Sequence, residues 1–219
     1  MPIDPTRYRA LLPLTALALV LPGCSAEPVV LAEDAIEAAK TCFAAKALVM
    51  REGKGEDDPI TFDEYMETLE YPYAAAALTE PFDLVNAEKA LEGIEAELER
   101  VGGLDYEGAV ALCDARFGFA EGGKPALPEG DLDAKLACTA VGALAGAEVE
   151  GGSEDHDTQA ARYSALADRL ATDLDTQPEI IAASEETVET MMEDQLVVAL
   201  KQGRPQAYLT QCEARFPEA

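Results

Sequence analysis

The groups in this chain that could carry chemistry are five cysteines, a single histidine and matched pairs of arginine and tyrosine. Thiols can form disulfides, ligate a metal beside histidine, or cycle between redox states. No Cys-x-x-Cys occurs and His156 has no second histidine beside it, so thioredoxin-like exchange and a Cys/His zinc site have little footing. Structural bridges are the expected use. His156 lies in an acidic stretch with Glu150, Glu154, Asp155 and Asp157, and Glu52, Glu56, Asp57 and Asp58 form a similar loop earlier in the chain. Clustered oxygen ligands could hold a calcium-like cation, with an imidazole nitrogen beside them. The EF-hand pattern fails, because Ala160 and Leu166 stand where that loop needs glycine and glutamate. Acids ahead of a helix are also favoured by its dipole without any metal. Asp155, His156 and Asp157 are therefore candidates for metal binding, but no metal or other cofactor is assigned. Catalysis has less to stand on, since the chain has no Gly-x-Ser-x-Gly elbow and no phosphate loop.

Four of the cysteines fall in two copies of one pattern. The run from Cys42 to Leu48 matches that from Cys138 to Leu144 at the cysteine, two alanines and the leucine. Cys113-Asp114-Ala115-Arg116-Phe117 meets Cys212-Glu213-Ala214-Arg215-Phe216 with a single acid-for-acid exchange, and Tyr65 and Tyr163 lie at similar depths between the cysteines. Four coincidences in one order indicate a tandem duplication of residues 33–117 and 131–219. The intervening residues 118–130 are dense in glycine and proline and form the boundary. Four cysteines permit three pairings. A unit that once stood alone would pair within itself, giving Cys42 with Cys113 and Cys138 with Cys212. Arg116 and Arg215 would sit at the end of a last helix, where a cation complements the dipole and can pair with a carboxylate; an anion-binding guanidinium is the rival use.

The elements that must position these groups read as helices throughout, so the expected fold is all-α, with two tandem four-helix bundle-like repeats. In the first copy Ile36, Ala39, Phe43, Ala47 and Met50 make a helical stripe. Thr61 and Glu64 form a capping box ahead of a second helix, which Pro72 should end or kink. Leu84, Ala87, Leu91, Ile94, Leu98 and Val101 recur at steps of three and four as one long third helix. Asp105 should cap a fourth, with Tyr106, Ala109, Val110, Cys113 and Phe117 on its buried side. The second copy repeats the plan near residues 131–147, 158–174, 178–201 and 204–215, with Ile181, Val188, Met191, Met192, Gln195 and Ala199 as its third stripe.

The remaining cysteine belongs to the N-terminus. Arg7 and Arg9 precede an apolar run over residues 11–21, followed at once by small residues and Cys24, the pattern of an export signal over residues 1–23. The run is too short to span a bilayer as a helix. Leu21, Gly23 and Cys24 resemble the lipobox of bacterial lipoproteins. That resemblance implies removal of the leader, lipidation of Cys24 and, from Ser25, transfer to the outer membrane; by composition, residues 24–32 read as a tether. Ordinary cleavage after Ala26, leaving a soluble periplasmic or secreted protein, is the alternative.

A net charge of −27 repels nucleic acid and anionic headgroups, so neither is an expected partner through basic contacts. A cationic partner, or none, fits better, and a solvated acidic face that keeps the protein soluble accounts for the charge by itself. The expected role is that of a non-enzymatic envelope lipoprotein, held to the membrane by its lipid, facing the periplasm and acting as an interaction or scaffolding module on an envelope protein. The alternative is a cation or small-ligand binder using the acidic loops or a pocket between the repeats.

Overall fold

The computed structural model describes residues 26–55, 58–119, 124–147 and 153–217. Cys24, Glu56, Asp57 and Glu150 lie outside the described residues. Those described are all-helical, with no strand. In order the helices are α1 Ala35–Arg51, α2 Phe62–Ala77, α3 Val85–Leu91, α4 Ile94–Gly102, α5 Tyr106–Phe117, α6 Asp131–Ala147, α7 Glu154–Leu174, α8 Pro178–Ala182, α9 Glu185–Lys201 and α10 Pro205–Arg215.

Caps start these helices where the side chains allow. Asp34 accepts from the backbone N–H groups of Ile36 and Glu37, both at 3.0 Å, and the Thr61–Glu64 capping box is present. Asp105 caps α5, and Ser153 and Ser184 cap α7 and α9.

Each half centres on its first helix. α1 packs against α2, α4 and α5, and α6 against α7, α9 and α10. Disulfides fasten first helix to last in both, Cys42 to Cys113 and Cys138 to Cys212. Small residues permit the close approach. α1 buries Ala38, Ala39, Ala44 and Ala45, a face shifted from the expected stripe, whose Ile36, Phe43, Ala47 and Met50 are only half-buried. Three neighbouring helices crowd onto the alanine side, and larger side chains are displaced to its edges. Between α6 and α7, a Cβ on Gly142 would lie 3.1 Å from the carbonyl oxygen of Tyr163, so only glycine leaves that backbone undisturbed.

The structure corrects four expectations. Both third helices are broken: Gly93, in the left-handed region at φ 69°, separates α3 from α4, and extended Ala183 and Ser184 separate α8 from α9. Pro72 does not end α2, which runs on to Ala77 with every residue from Thr68 to Ala77 buried; that burial outweighs the lost N–H. The tether is docked over its last residues, because Val29 is 3% exposed against Ala44, Ala45, Val101 and Ala109 and the Glu27 carbonyl accepts from Asp105 N–H at 2.8 Å. The halves also share one core. Phe62, Met66, Leu69 and Tyr73 of α2 join the core formed by α6, α7, α9 and α10, while Tyr71, Ala74 and Ala75 of the same helix face α1 and α5. From Tyr71 on, α2 carries no charged residue and is covered on all sides.

Candidate binding cleft between the halves

Where α2 crosses between the halves, a cleft of about 420 Å³ opens beside it. One face of α2 supplies Asp63, Glu67 and Glu70, spaced four and three residues apart so that they line up along the helix. α1 adds Lys46, α5 adds Asp114, and the start of α10 adds Arg204, Gln206 and Thr210. Both halves contribute.

Glu70 is its deepest charged group, 4% exposed. Its Oε2 accepts the backbone N–H of Arg204 at 3.3 Å, and Lys46 Nζ lies 3.9 Å from Oε1 and 3.3 Å from Glu67 Oε2. Burial pushes the carboxyl up to about 7, opposed by Lys46 and reinforced by Asp114 and Glu67. Asp63 is also raised, by burial first and then by Asp155 and Glu67. Tyr71 donates its hydroxyl to Asp114 Oδ1 at 2.8 Å; burial and the neighbouring acids hold that phenol well above its usual range. Gln206 donates through Nε2 to the Tyr163 hydroxyl at 2.8 Å, while its buried Oε1 has no hydrogen-bond partner among the described residues.

Backbone conformation sets the Arg204 donor in place. Gly203 and Arg204 are both left-handed, at φ 66° and 55°, an unusual state for arginine. A Cβ on Gly203 would lie 2.5 Å from the Phe119 ring. Phe119 in turn stacks on Tyr71, with ring centroids 5.8 Å apart. The turn is thereby wedged between the residues following α5 and the body of α2.

The residues singled out by sequence have mostly structural positions. Asp155 Oδ2 accepts the backbone N–H of Phe62 at 3.0 Å, and His156 Nε2 lies 2.8 Å from the Ile60 carbonyl oxygen, which the imidazole N–H can reach as donor. The His156 ring also meets Phe62 edge-on and lies against Tyr65. The pair of candidate ligands thus clasps the start of α7 to the start of α2. Asp157 is exposed in the first turn of α7, as is Glu52 beyond α1. Asp58 closes its own turn by accepting from Gly55 N–H at 2.6 Å. Among the described residues no three His, Cys, Asp or Glu side chains come together to hold a metal ion.

Arg116 and Arg215 both donate to backbone carbonyls. Arg116 donates to Glu33 at 2.9 Å, and Arg215 to Pro128 at 2.6 Å and Glu129 at 3.0 Å. In both halves the last helix grips the residues just ahead of the first. Among the described residues, Asp131, 3.8 Å from Arg215, is the one carboxylate paired with either arginine. Tyr163 is buried, with its hydroxyl held by Gln206. Lys46, Asp63, Glu67, Glu70, Asp114, Arg204 and Gln206 were not singled out by sequence. Their one local signal is Glu70, a lone charge abutting the unbroken apolar run from Tyr71 to Leu78.

Comparison with known proteins brings no relative to this arrangement: no family model, no curated protein and no solved structure matches the chain.

Proposed function

We propose that this chain is an exported, non-enzymatic binding protein of the cell envelope, anchored through a lipid on Cys24, whose cleft between the halves takes a small organic cation. Anchoring and export rest on the lipobox-like leader. Among the described residues no helix is long and apolar enough to cross a membrane.

The observation that carries the ligand is the cleft. Four carboxyl groups line it against two bases, one of which, Lys46, is already engaged by Glu67 and Glu70. Its volume falls in the range of small-molecule sites. The carboxylates are spread along α2 and across to α5 without converging on one point, which suits an amine or guanidinium with some length better than a bare metal ion. Gln206, whose Oε1 has no hydrogen-bond partner among the described residues, lines the same cleft.

Duplication of an ancestral unit is part of the same proposal. Supporting it, each half runs through five helices in the same order with a short third one, and bridges first helix to last. Each also ties its late arginine to the residues before its first helix.

Calorimetric titration with putrescine and arginine, against calcium and sodium at equal ionic strength, tests the ligand. Saturable binding of an amine or guanidinium, lost on Glu67→Gln with Asp114→Asn, is expected. A cation must favour the ionised form of Glu70, so affinity should rise with pH as that group ionises near 7. Binding of calcium alone, or of no cation, would refute the assignment.

A further inference from the structure

No residue between 178 and 195, a stretch spanning α8 and most of α9, is buried. The stretch is nevertheless rich in apolar side chains, among them Ile180, Ile181, Val188, Met191 and Met192. Ile181 is 69% exposed. α9 reaches the core only through its final turns, by Leu196, Ala199 and Leu200, with Met192 and Val197 packed at the core edge. Helices in proteins draw most of their stability from covering an apolar face. Over residues 178–195 that face is only partly covered: Ile181 is exposed and Ile180, Val188 and Met191 are half-buried, while Ser184 caps α9 by accepting from Thr187 N–H at 3.2 Å.

Charge narrows what could cover it. Between Arg169 and Lys201 the chain carries eight acids and no lysine, arginine or histidine. A second copy would bring the same acids onto this face, and an anionic lipid surface would repel it. We propose that the α8–α9 face docks a basic amphipathic helical segment of a partner protein. The segment's apolar stripe lies on the isoleucines, Val188 and Met191, and its lysines or arginines meet Glu185, Glu189 and Glu193. The half-buried Met191 can adapt to the shape of such a stripe, and helix-on-groove recognition reads apolar anchors at helical spacing. No cleft residue comes from α8 or α9, so this contact is independent of the cation site.

The oxidised full chain should be titrated with a synthetic leucine/lysine amphipathic helix and with a scrambled peptide of identical composition, at low and moderate salt. The amphipathic peptide should bind saturably and about tenfold or more tighter than the scrambled one. Ile181→Ser with Met191→Ser should weaken it about tenfold with little change in thermal unfolding, since Ile181 is exposed and Met191 only half-buried. Glu189→Lys with Glu193→Lys should weaken it too and flatten its salt dependence. Equal affinity for the scrambled peptide, or indifference to both variant pairs, would overturn the proposal. So would a dimer in sedimentation that Ile181→Ser dissociates, because the face would then belong to a second copy.

Discussion

The buried carboxylate of Glu70 accepts the backbone N–H of Arg204 at 3.3 Å, joining α2 to the turn before α10 across 134 residues of sequence. An acid whose ionised form is poorly solvated therefore holds a strained turn in position. Stability and ligand affinity should both depend on that one proton.

Glu70 titrates near 7 in the folded chain against 4.5 unfolded. Between those values the folded state binds more protons than the unfolded state, so this group's contribution to stability is full below 4.5 and is lost as pH rises through 7. Glu70→Gln keeps an acceptor for Arg204 and removes the titration. The variant should match the parent near pH 4.5 and exceed it by up to about 3 kcal/mol near pH 8. Urea unfolding across that range measures the difference, and parallel curves for the two proteins would contradict it.

Asp155→Ala leaves the N–H of Phe62 without its carboxylate and loosens the start of α2. A loss of about 1–2 kcal/mol is expected, as for an N-cap. Amide exchange should quicken at the start of α2 while α4 and α5 keep their protection.

Peptide mapping without reductant should recover Cys42 joined to Cys113 and Cys138 joined to Cys212. Opening the first bridge by Cys42→Ala with Cys113→Ala frees a loop of 71 residues and should cost about 4 kcal/mol in the chain-entropy account.

Gly142→Ala forces a methyl group to within 3.1 Å of the Tyr163 carbonyl oxygen. Helix propensity favours alanine by up to about 1 kcal/mol. The backbone contact should nonetheless prevail, giving a net loss of about 1–3 kcal/mol in equilibrium unfolding. A gain in stability would show that α6 and α7 can separate without penalty.

Replacing Cys24 by serine should move the protein from the membrane to the soluble fraction of cells. Unchanged fractionation would remove the lipid anchor.

Helical class, the two bridges and two of the caps are legible in the chain because each is signalled locally or by a matching copy. Thr61 with Glu64 and Asp105 announced their helices by side-chain type alone. The breaks were missed for an identifiable reason: the apolar period from Leu84 to Val101 runs straight across Gly93, and a left-handed residue costs glycine little. Ser184 did carry an N-cap signal, but it sat inside an apparently continuous stripe. The cleft was illegible because its acids are chemically identical to the many on the surface. What distinguishes Glu70 is the second half folding over it, which no nearby residue encodes. The same long-range packing turned Asp155 and His156 from apparent ligands into a clasp.

Neither disulfide spans the stretch between Phe119 and Lys124. A protease nick in that stretch would sever the last covalent link between the two fragments, leaving α2 and the acids and aromatics around it to keep them together. Survival of the nicked pair on dilution would turn the grip of one helix into a measurable dissociation constant.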